Sequence, residues 1–243
     1  MLKNLTILFI AFGFLVHAQS NFNYKKDFKT ILAKTKDVND ILHYDKLVSR
    51  FKKNDTTFSN AEVLALMIGF TGRPEYKPYD DLKEEDNIYN LNAEGKYEEA
   101  LIKADEFLGT HPLSLKVIYE KSFSYFKAQN NDSAKFYAKQ GQRIFNAMAY
   151  SGDGRTKQTP IFALGPTDGQ DYIYKFMQGG IGEKDSGYDE DGNFLDILEL
   201  NFRTGQSYQL FFITQHAVEK KVSGKVIESA GEKEKKEKKK SEK

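Results

Sequence analysis

The sequence predicts an α+β fold in which an N-terminal helical stack precedes a small antiparallel β region. Up to Met148, apolar residues recur three and four positions apart, which is typical of amphipathic helices. After Met148 the apolar runs are short and are separated by glycine-bearing turns, which is typical of strands that pair antiparallel. With 40% hydrophobic residues, the chain can form a packed core. We therefore expect a helical domain over residues 19–148 and a β region over residues 149–218.

Residues 1–18 have the pattern of a signal peptide. Lys3 precedes an apolar run from Leu5 to Val16, which is too short to span a bilayer comfortably. We expect cleavage between Ala18 and Gln19 and export to the periplasm or beyond, and an uncleaved membrane anchor is the alternative. The chain contains no cysteine, so its stability must come from packing without disulfides.

The distribution of charge disfavours one class of partner and sets one segment apart. The chain has 36 Lys and Arg residues and 35 Asp and Glu residues, and this balance is unlike that of a general nucleic-acid binder. Residues 219–243 are predicted to be a charged, disordered tail, because residues 231–243 contain seven Lys, four Glu and no apolar residue. We expect this tail to remain in solvent, and contact with an anionic membrane surface is the alternative.

Two predicted helix pairs in residues 81–146 are related by a shift of about 34 residues. The shift places Ala100 on Ala134 and Ala104 on Ala138, and small residues at these positions let neighbouring helices approach closely. The pattern resembles the tetratricopeptide repeat, which is a helix pair of about 34 residues.

The second helix pair departs from that repeat, because Gln129 replaces the turn glycine and Asn146 replaces the closing proline. Two pairs are also fewer than the roughly three that a free-standing array needs to bury its faces. We therefore expect the upstream helices and the β region to cover the two ends of this stack.

Four strands are predicted in the second region, and turn residues separate them. Asp191-Gly192 is a strong signal for a hairpin between two of them. The predicted strands are residues 161–164, 171–177, 194–200 and 207–214.

Several short motifs make the chain similar to an uncharacterised family of exported bacterial proteins, known only as a domain of unknown function. The motifs are Ser151-Gly152-Asp153-Gly154, Thr159-Pro160, Tyr172-Ile173-Tyr174, Asp191-Gly192 and Asp196, which follow the helical half. The resemblance implies an exported α+β protein of Bacteroidetes-type bacteria, and it implies no activity.

Catalytic and metal-binding patterns are poorly represented, so we predict no catalytic residue and no cofactor. There is no cysteine and no Gly-x-Ser-x-Gly motif, and the histidines expected in the mature chain, His43, His111 and His216, are far apart in sequence. Asp189 and Asp191 are weak calcium candidates in the acidic stretch 183–193. The position of the bidentate glutamate of a calcium loop is occupied by Leu198, so an acidic hairpin loop is the other interpretation.

Binding is the function class that the sequence favours. Stacked helix pairs present the first helix of each pair on a concave face, and Glu85 falls on that face together with seven predicted ligand-binding residues. Those seven are Tyr89, Asn92, Lys116, Tyr119, Phe123, Phe126 and Lys127. We expect an exported, non-catalytic binding or scaffold protein of the cell envelope, which recognises a protein or peptide through this groove. The alternative for Phe123 and Phe126 is a place in the core against the strands.

Two other functions remain open. One is a carboxylate-dependent hydrolase that uses acids such as Asp153, Asp189 or Asp196, and the other is a structural protein held at a surface by its basic tail. An enzyme of this kind needs at least two acids that converge in one cleft with displaced pKa values, whereas a binding protein needs an open aromatic groove.

Overall fold

The computed structural model describes residues 22–223, and the predicted signal peptide and the lysine-rich segment 231–243 lie outside these residues. Its elements in chain order are α1 (Tyr24–Lys36), α2 (Tyr44–Lys52), α3 (Asn60–Thr71), α4 (Leu82–Ala93), α5 (Tyr97–Thr110), α6 (Leu115–Lys127), α7 (Asn131–Ser151), β1 (Ile161–Phe162), α8 (Asp168–Asp171), β2 (Gly180–Tyr188), β3 (Phe194–Asn201) and β4 (Ser207–Ile213). A π-helical segment, Tyr172–Phe176, directly follows α8. A last helix, α9, covers residues 215–223 and so includes the first five residues of the predicted tail. Helices come first and a sheet follows, which confirms the α+β class.

Helix α3 is central to the helical half and is buried along most of its length. Its N-terminus carries the capping box that the sequence predicts, in which Ser59 and Glu62 each accept a backbone N–H of the other. Every residue from Val63 to Phe70 is buried. A helix that is apolar on all sides needs cover on all sides, and α1, α2 and α7 supply it.

Two helix pairs, α4 with α5 and α6 with α7, follow α3. The turn between the two helices of each pair contains a residue in the left-handed conformation, Gly95 at φ 78° in the first pair and Gln129 at φ 60° in the second. Glutamine therefore makes the turn that glycine makes in the first pair, at a strain of about 1 kcal/mol. Helix α7 contacts α3 and α8 contacts α6, so elements from both halves of the chain cover the stack.

Within residues 22–223, the sheet has four strands in the order β1-β4-β3-β2. Strands β3 and β4 pair antiparallel as predicted, and their bounds agree with the predicted runs 194–200 and 207–214. Strand β2 also pairs antiparallel with β3. Strand β1 pairs parallel with β4, so the sheet is mixed rather than purely antiparallel. The long connection between β1 and β4 permits this parallel pairing, which a short turn does not allow.

The predicted strand at 171–177 is wrong, because these residues form the end of α8 and the π-helical segment. Tyr172 and Ile173 are buried, Phe176 packs beside them against Phe145, and Tyr174 is exposed. This pattern has helical rather than alternating periodicity. The many aromatic residues of the run favour a strand locally, and packing against α7 and the sheet overrides that preference.

Strand β2 was not predicted, since its residues read as part of an acidic loop. It is an edge strand and most of its residues are exposed, so it lacks the apolar alternation that marks a half-buried strand. The hairpin at Asp191-Gly192 is confirmed, with Gly192 at φ 79° between β2 and β3. The Asp189 carboxylate closes this turn by accepting the backbone N–H groups of Asp191 and Asn193.

The helices and the sheet share a large hydrophobic core, and a small separate cluster of Ile88, Ala104 and Val117 lies between α4, α5 and α6. A continuous cluster of buried residues runs from Phe22 before α1, through α3 and α7, to Phe212 on β4 and Ala217 on α9. The two halves of the chain are therefore packed as one unit over the residues that the structure describes. Within residues 22–223, no helix is long and apolar enough to cross a membrane.

Candidate functional site

The residues predicted to bind a ligand lie on α4 and α6, and five of them form a surface that we call the α4–α6 face. Three aromatic residues of this face, Tyr89, Phe123 and Phe126, are 50%, 41% and 59% exposed. Lys116 Nζ lies 5.5 Å from the ring centroid of Tyr89, and Lys127 Nζ lies 5.2 Å from that of Phe123. The face therefore combines open aromatic area with positive charge.

The other two predicted residues join helices to each other. Asn92 is buried, donates to the Glu120 backbone oxygen at 3.0 Å and accepts the Ser124 hydroxyl at 2.6 Å, which ties α4 to α6. Tyr119 is half-buried, and its ring packs over Gly141 so closely that a Cβ there would clash with it. Their side chains are thus engaged within the protein, whereas the five residues of the α4–α6 face are directed outward.

A small cleft of about 40 Å³ lies beside the N-terminal ends of α4 and α6, where the helices meet the loop after β1. We call it the acid cleft. Its apolar walls include Phe70, Tyr76, Phe107, Leu113 and Leu164. Its polar groups are Asp81, Glu85, His111, Ser114, Thr167 and Asp168. An apolar concavity with a few converging polar groups is the usual form of a ligand site.

Glu85 reaches the acid cleft from the first turn of α4. Its carboxylate accepts the hydroxyl of Ser114 at 2.7 Å, and Ser114 is the N-cap residue of α6. Burial raises the pKa of Glu85, and this effect exceeds the lowering by the Ser114 hydrogen bond and by the charge of Lys116. The α4–α6 junction thus positions a carboxylate that holds its proton more tightly than an exposed glutamate does.

Asp168 reaches the cleft from the opposite side, at the first residue of α8. Its side chain is buried, and Oδ2 accepts the backbone N–H of Gly165 at 2.9 Å. Burial raises the pKa of Asp168 to about 7, and the charges of Glu85 and Asp171 add to the increase. Asp168 is therefore close to half-ionised at neutral pH.

The mouth of the cleft holds an ion pair between Asp81 and His111, whose Oδ1 and Nε2 are 3.4 Å apart. The imidazole stacks on Phe107 at a centroid distance of 4.3 Å, and its Nε2 also lies 3.0 Å from the Glu75 carbonyl oxygen. Burial lowers the pKa of His111, but hydrogen bonding to Asp81 and the charge of Asp81 outweigh burial and raise the pKa above its ordinary value. The Thr110 hydroxyl lies 2.8 Å from Nδ1, so both ring nitrogens of His111 have polar neighbours that orient the ring.

The charges of Glu85 and Asp168 are not matched by cations. Within residues 22–223, neither carboxylate forms an ion pair with a lysine, arginine or histidine. The charge of Lys116 lowers the pKa of Glu85, but Lys116 forms its ion pair with Asp86, which is exposed on α4. Asp168 is buried and Glu85 is half-buried, and acids placed in this way without an ion-pair partner are costly to the fold, which is typical of residues kept for function rather than for stability.

The acid cleft and the α4–α6 face are continuous with each other. Glu85 in the cleft is followed by Asp86, which pairs with Lys116, and by Tyr89, which lies against the same lysine. A ligand that enters the cleft can therefore continue along the exposed rings of the face.

His216 of α9 is a second buried titratable group, but it lies inside the core. Its ring stacks on Phe162 at 4.6 Å and lies among Tyr24, Phe28 and Tyr76. Neither ring nitrogen has a well-formed hydrogen bond, although the backbone of Ala163 and Leu164 is nearby. Burial lowers the pKa of His216 to about 3, so the ring is neutral at physiological pH.

The three acids considered for hydrolysis have separate partners. Asp153 accepts the Thr159 hydroxyl at 2.6 Å, Asp189 closes the β2–β3 hairpin, and Asp196 accepts the Thr214 hydroxyl at 3.0 Å. Of these, burial raises the pKa of Asp196. A convergent pair of acids does exist, but it consists of Glu85 and Asp168.

The calcium candidates are engaged in the hairpin and in an ion pair. Asp189 Oδ1 accepts two backbone N–H groups, and Asp191 pairs with Lys25 at 2.5 Å. In the part of the chain that the structure describes, no group of three or more His, Asp or Glu side chains is arranged to hold a metal ion.

Sequence reasoning missed Asp168 altogether and placed Glu85 on a groove rather than in a cleft. Asp168 lies in a glycine- and proline-bearing stretch that reads as a turn, 83 positions after Glu85. His111 was considered in the sequence only as one of three histidines that are far apart in the chain. The sequence feature that could have indicated the cleft is the set of prolines at 78, 112 and 166. These prolines, with the polar residues beside them, mark the loops that meet at the cleft.

The chain belongs to the family described as "Domain of unknown function (DUF4919)", whose pattern matches residues 29–221. This match spans the helices, the sheet and all residues of the acid cleft. No curated protein and no solved structure matches the chain.

Proposed function

We propose that this DUF4919 member is an exported binding protein that takes a peptide along the α4–α6 face and a positively charged group of that peptide in the acid cleft. The carrying observation is that Glu85 and Asp168 meet in an aromatic-walled cleft with raised pKa values and without a cationic partner in residues 22–223. Burial deprives the two carboxylates of solvation by water, and an ammonium or guanidinium group of the ligand would compensate their negative charge instead.

The rest of the surface suits a peptide better than a small metabolite. The exposed rings of Tyr89, Phe123 and Phe126 extend the site beyond the cleft, and aromatic anchors of this kind dominate peptide affinity. In this proposal the two helix pairs are tetratricopeptide-like units that present their first helices to the ligand, and the setting is the envelope of a Bacteroidetes-type bacterium.

Defined peptides test the proposal. The mature chain, residues 19–243, is titrated with fluorescent peptides that share one aromatic-rich sequence and differ only in having Lys, Gln or Glu at one central position. We expect the Lys peptide to bind at least about tenfold more tightly, with an advantage that falls as salt rises. The Glu85→Gln/Asp168→Asn double variant should lose that preference.

Matched control variants distinguish charge-selective binding in the acid cleft from nonspecific hydrophobic binding. Phe123→Ser should weaken all three peptides alike, because it removes apolar area from the face. Tyr208→Ser alters a ring that is similarly exposed but lies on β4, and it should change nothing. Equal binding of the three peptides to the wild type would contradict the proposal.

A carboxylate-dependent hydrolase is the second candidate, favoured by the pKa of Asp168 at about 7. A carboxyl group with a pKa near the working pH is suited to general acid catalysis, with Glu85 as the second acid. Hydrolysis of chromogenic glycosides or esters that is abolished in Asp168→Asn but retained in Asp196→Asn would establish it. Equal residual rates in both variants would eliminate it.

A further inference from the structure

We propose that a pocket between α2, α5, α6 and α7 binds a small ligand with a carboxylate and an apolar body, and that the ammonium of Lys121 holds the carboxylate. Lys121 lies in the wall of this pocket, which we call the Lys121 pocket. It shares no lining residue with the acid cleft or with the α4–α6 face. The inference adds a second site to the protein and does not rest on the proposed function.

The Lys121 pocket is the roomier of the two concavities. Its volume is about 260 Å³, against about 40 Å³ for the acid cleft. This is just below the roughly 300–1,000 Å³ of pockets that hold drug-sized ligands, so the pocket suits a small ligand. Its apolar walls are Phe51 of α2, Leu108 of α5, Phe136 of α7 and Pro112. The apolar body of a ligand would therefore contact side chains from three helices.

Lys121 carries its positive charge into a place that is shielded from water. Its side chain is only 3% exposed, although lysine is among the residues least often buried. Burial lowers the pKa of Lys121, but hydrogen bonds to Asp105 and Tyr137 outweigh burial and raise the pKa above its ordinary value. Nζ also lies 4.1 Å from the ring centroid of Tyr137. The wall of the pocket thus holds a lasting positive charge.

Two hydrogen-bond donors of the wall have no acceptor in residues 22–223. The ammonium has three N–H groups, and it donates to Asp105 and, at 2.7 Å, to the hydroxyl of Tyr137. The Tyr137 hydroxyl accepts that bond, so its own hydrogen is left to donate. Both residues line the pocket. One carboxylate can accept from both groups, because Nζ and the hydroxyl oxygen are neighbours.

Asp105 is a partner that a ligand can displace. Its side chain is 61% exposed, so water can solvate its carboxylate without help from Lys121. An apolar side chain at position 121 would also fill the same space at a lower cost in desolvation. Asp105 can therefore turn toward solvent while the ligand's carboxylate takes its place, and the buried ammonium is never left unpaired.

The charge of the lining favours an anion. Lys52 adds a second positive charge, so the pocket is lined by two lysines and one acid. The acid cleft has the opposite balance, with Asp81, Glu85 and Asp168. The two sites should therefore select groups of opposite charge.

Fluorine NMR with defined probes tests the site. The mature chain, residues 19–243, is titrated with 4-fluorophenylacetate and with the neutral amide of the same acid. We expect the acid to bind at least about tenfold more tightly than the amide, because only the acid offers a charge to Lys121. Lys121→Met keeps an unbranched side chain without the charge, and it should reduce the affinity of the acid to that of the amide.

An exposed position distinguishes a ligand site from an ion pair that serves only the fold. Asp105→Asn removes the acid that competes for Lys121, so the acid probe should bind about three- to tenfold more tightly. Glu106→Gln changes the next acid on α5, which is exposed and pairs with Lys103, and it should leave the affinity unchanged. Lys127→Gln removes a charge from the α4–α6 face and should also have no effect.

Two results would overturn the inference. One is equal affinity of the acid and the amide for the wild type. The other is the same affinity of the acid probe for Asp105→Asn and for Glu106→Gln, and this comparison holds even if Lys121→Met does not fold. Neither result depends on the lysine-containing peptides that test the proposed function.

A third probe distinguishes two sources of the carboxylate. N-acetyl-4-fluorophenylalanine carries its carboxylate beside a peptide group, as the end of a peptide chain does. Tighter binding of this probe than of 4-fluorophenylacetate would identify the ligand as a peptide C-terminus. Tighter binding of 4-fluorophenylacetate would identify it as a free small acid.

Discussion

Replacement of Asp168 by asparagine should stabilise the protein at neutral and alkaline pH. In the native state the pKa of Asp168 is about 7, against an ordinary value of 3.8. Native protein therefore binds more protons than unfolded protein between these values, and the free energy of unfolding falls as pH rises through that window. Asparagine keeps the shape and can still accept the Gly165 N–H, but it carries no charge to bury.

The size of the effect follows from the pKa shift. A difference of about three pH units corresponds to about 4 kcal/mol, and relaxation of the site reduces this to about 2–4 kcal/mol at pH 8. The gain should shrink by about 1.4 kcal/mol for each pH unit below 7 and vanish near pH 4. For a chain of this size the gain at pH 8 raises Tm by about 5–15 °C.

Urea unfolding at pH 4, 6 and 8, followed by circular dichroism, measures this dependence. Glu98→Gln is the matched control, because Glu98 is an exposed acid on α5, and it should change stability by less than about 0.5 kcal/mol at every pH. The same gain at pH 4 and pH 8 would show that burial of the Asp168 charge is not the cause. No gain at pH 8 would show that the carboxylate is already neutralised.

Three further predictions concern the fold. His216 is neutral in the core because burial lowers its pKa from 6.5 to about 3. As the pH falls from 6.5 to about 3, the unfolded state binds a proton that the native state does not, so the free energy of unfolding should fall by about 1.4 kcal/mol per pH unit. In urea titrations, His216→Phe should remove this part of the acid sensitivity. Gly141→Ala should destabilise the protein by about 1–3 kcal/mol, because the new Cβ displaces the Tyr119 ring. Gly109→Ala is the control for thermal unfolding, because a Cβ there meets no other atom, and an equal loss of stability in the two variants would contradict the clash. Gln129→Gly should stabilise by about 0.5–1 kcal/mol by relieving the positive φ, and a lower Tm for this variant would contradict the strain.

Local sequence rules succeeded where neighbouring residues determine the structure. The capping box of Ser59 and Glu62 and the hairpin at Asp191-Gly192 both depend on contacts within a few positions, and both are present. The rules failed at 171–177, where the aromatic run favours a strand. There the buried side of Tyr172 and Phe176 packs against Phe145, 27 positions from Tyr172, and this distant contact determines a helix.

The sequence by itself determined the α+β order of elements and the helix pairs, because hydrophobic periodicity and turn chemistry are local. Whether Phe123 and Phe126 of α6 are exposed or lie in the core was left open by the sequence, and the structure shows that they are exposed. Only the tertiary structure decided that Glu85 and Asp168 face the same cleft. They come from α4 and α8, and the pKa of each depends on burial by segments far away in the chain. Desolvation is a property of the folded surroundings rather than of the residue, so no spacing in the sequence contains it.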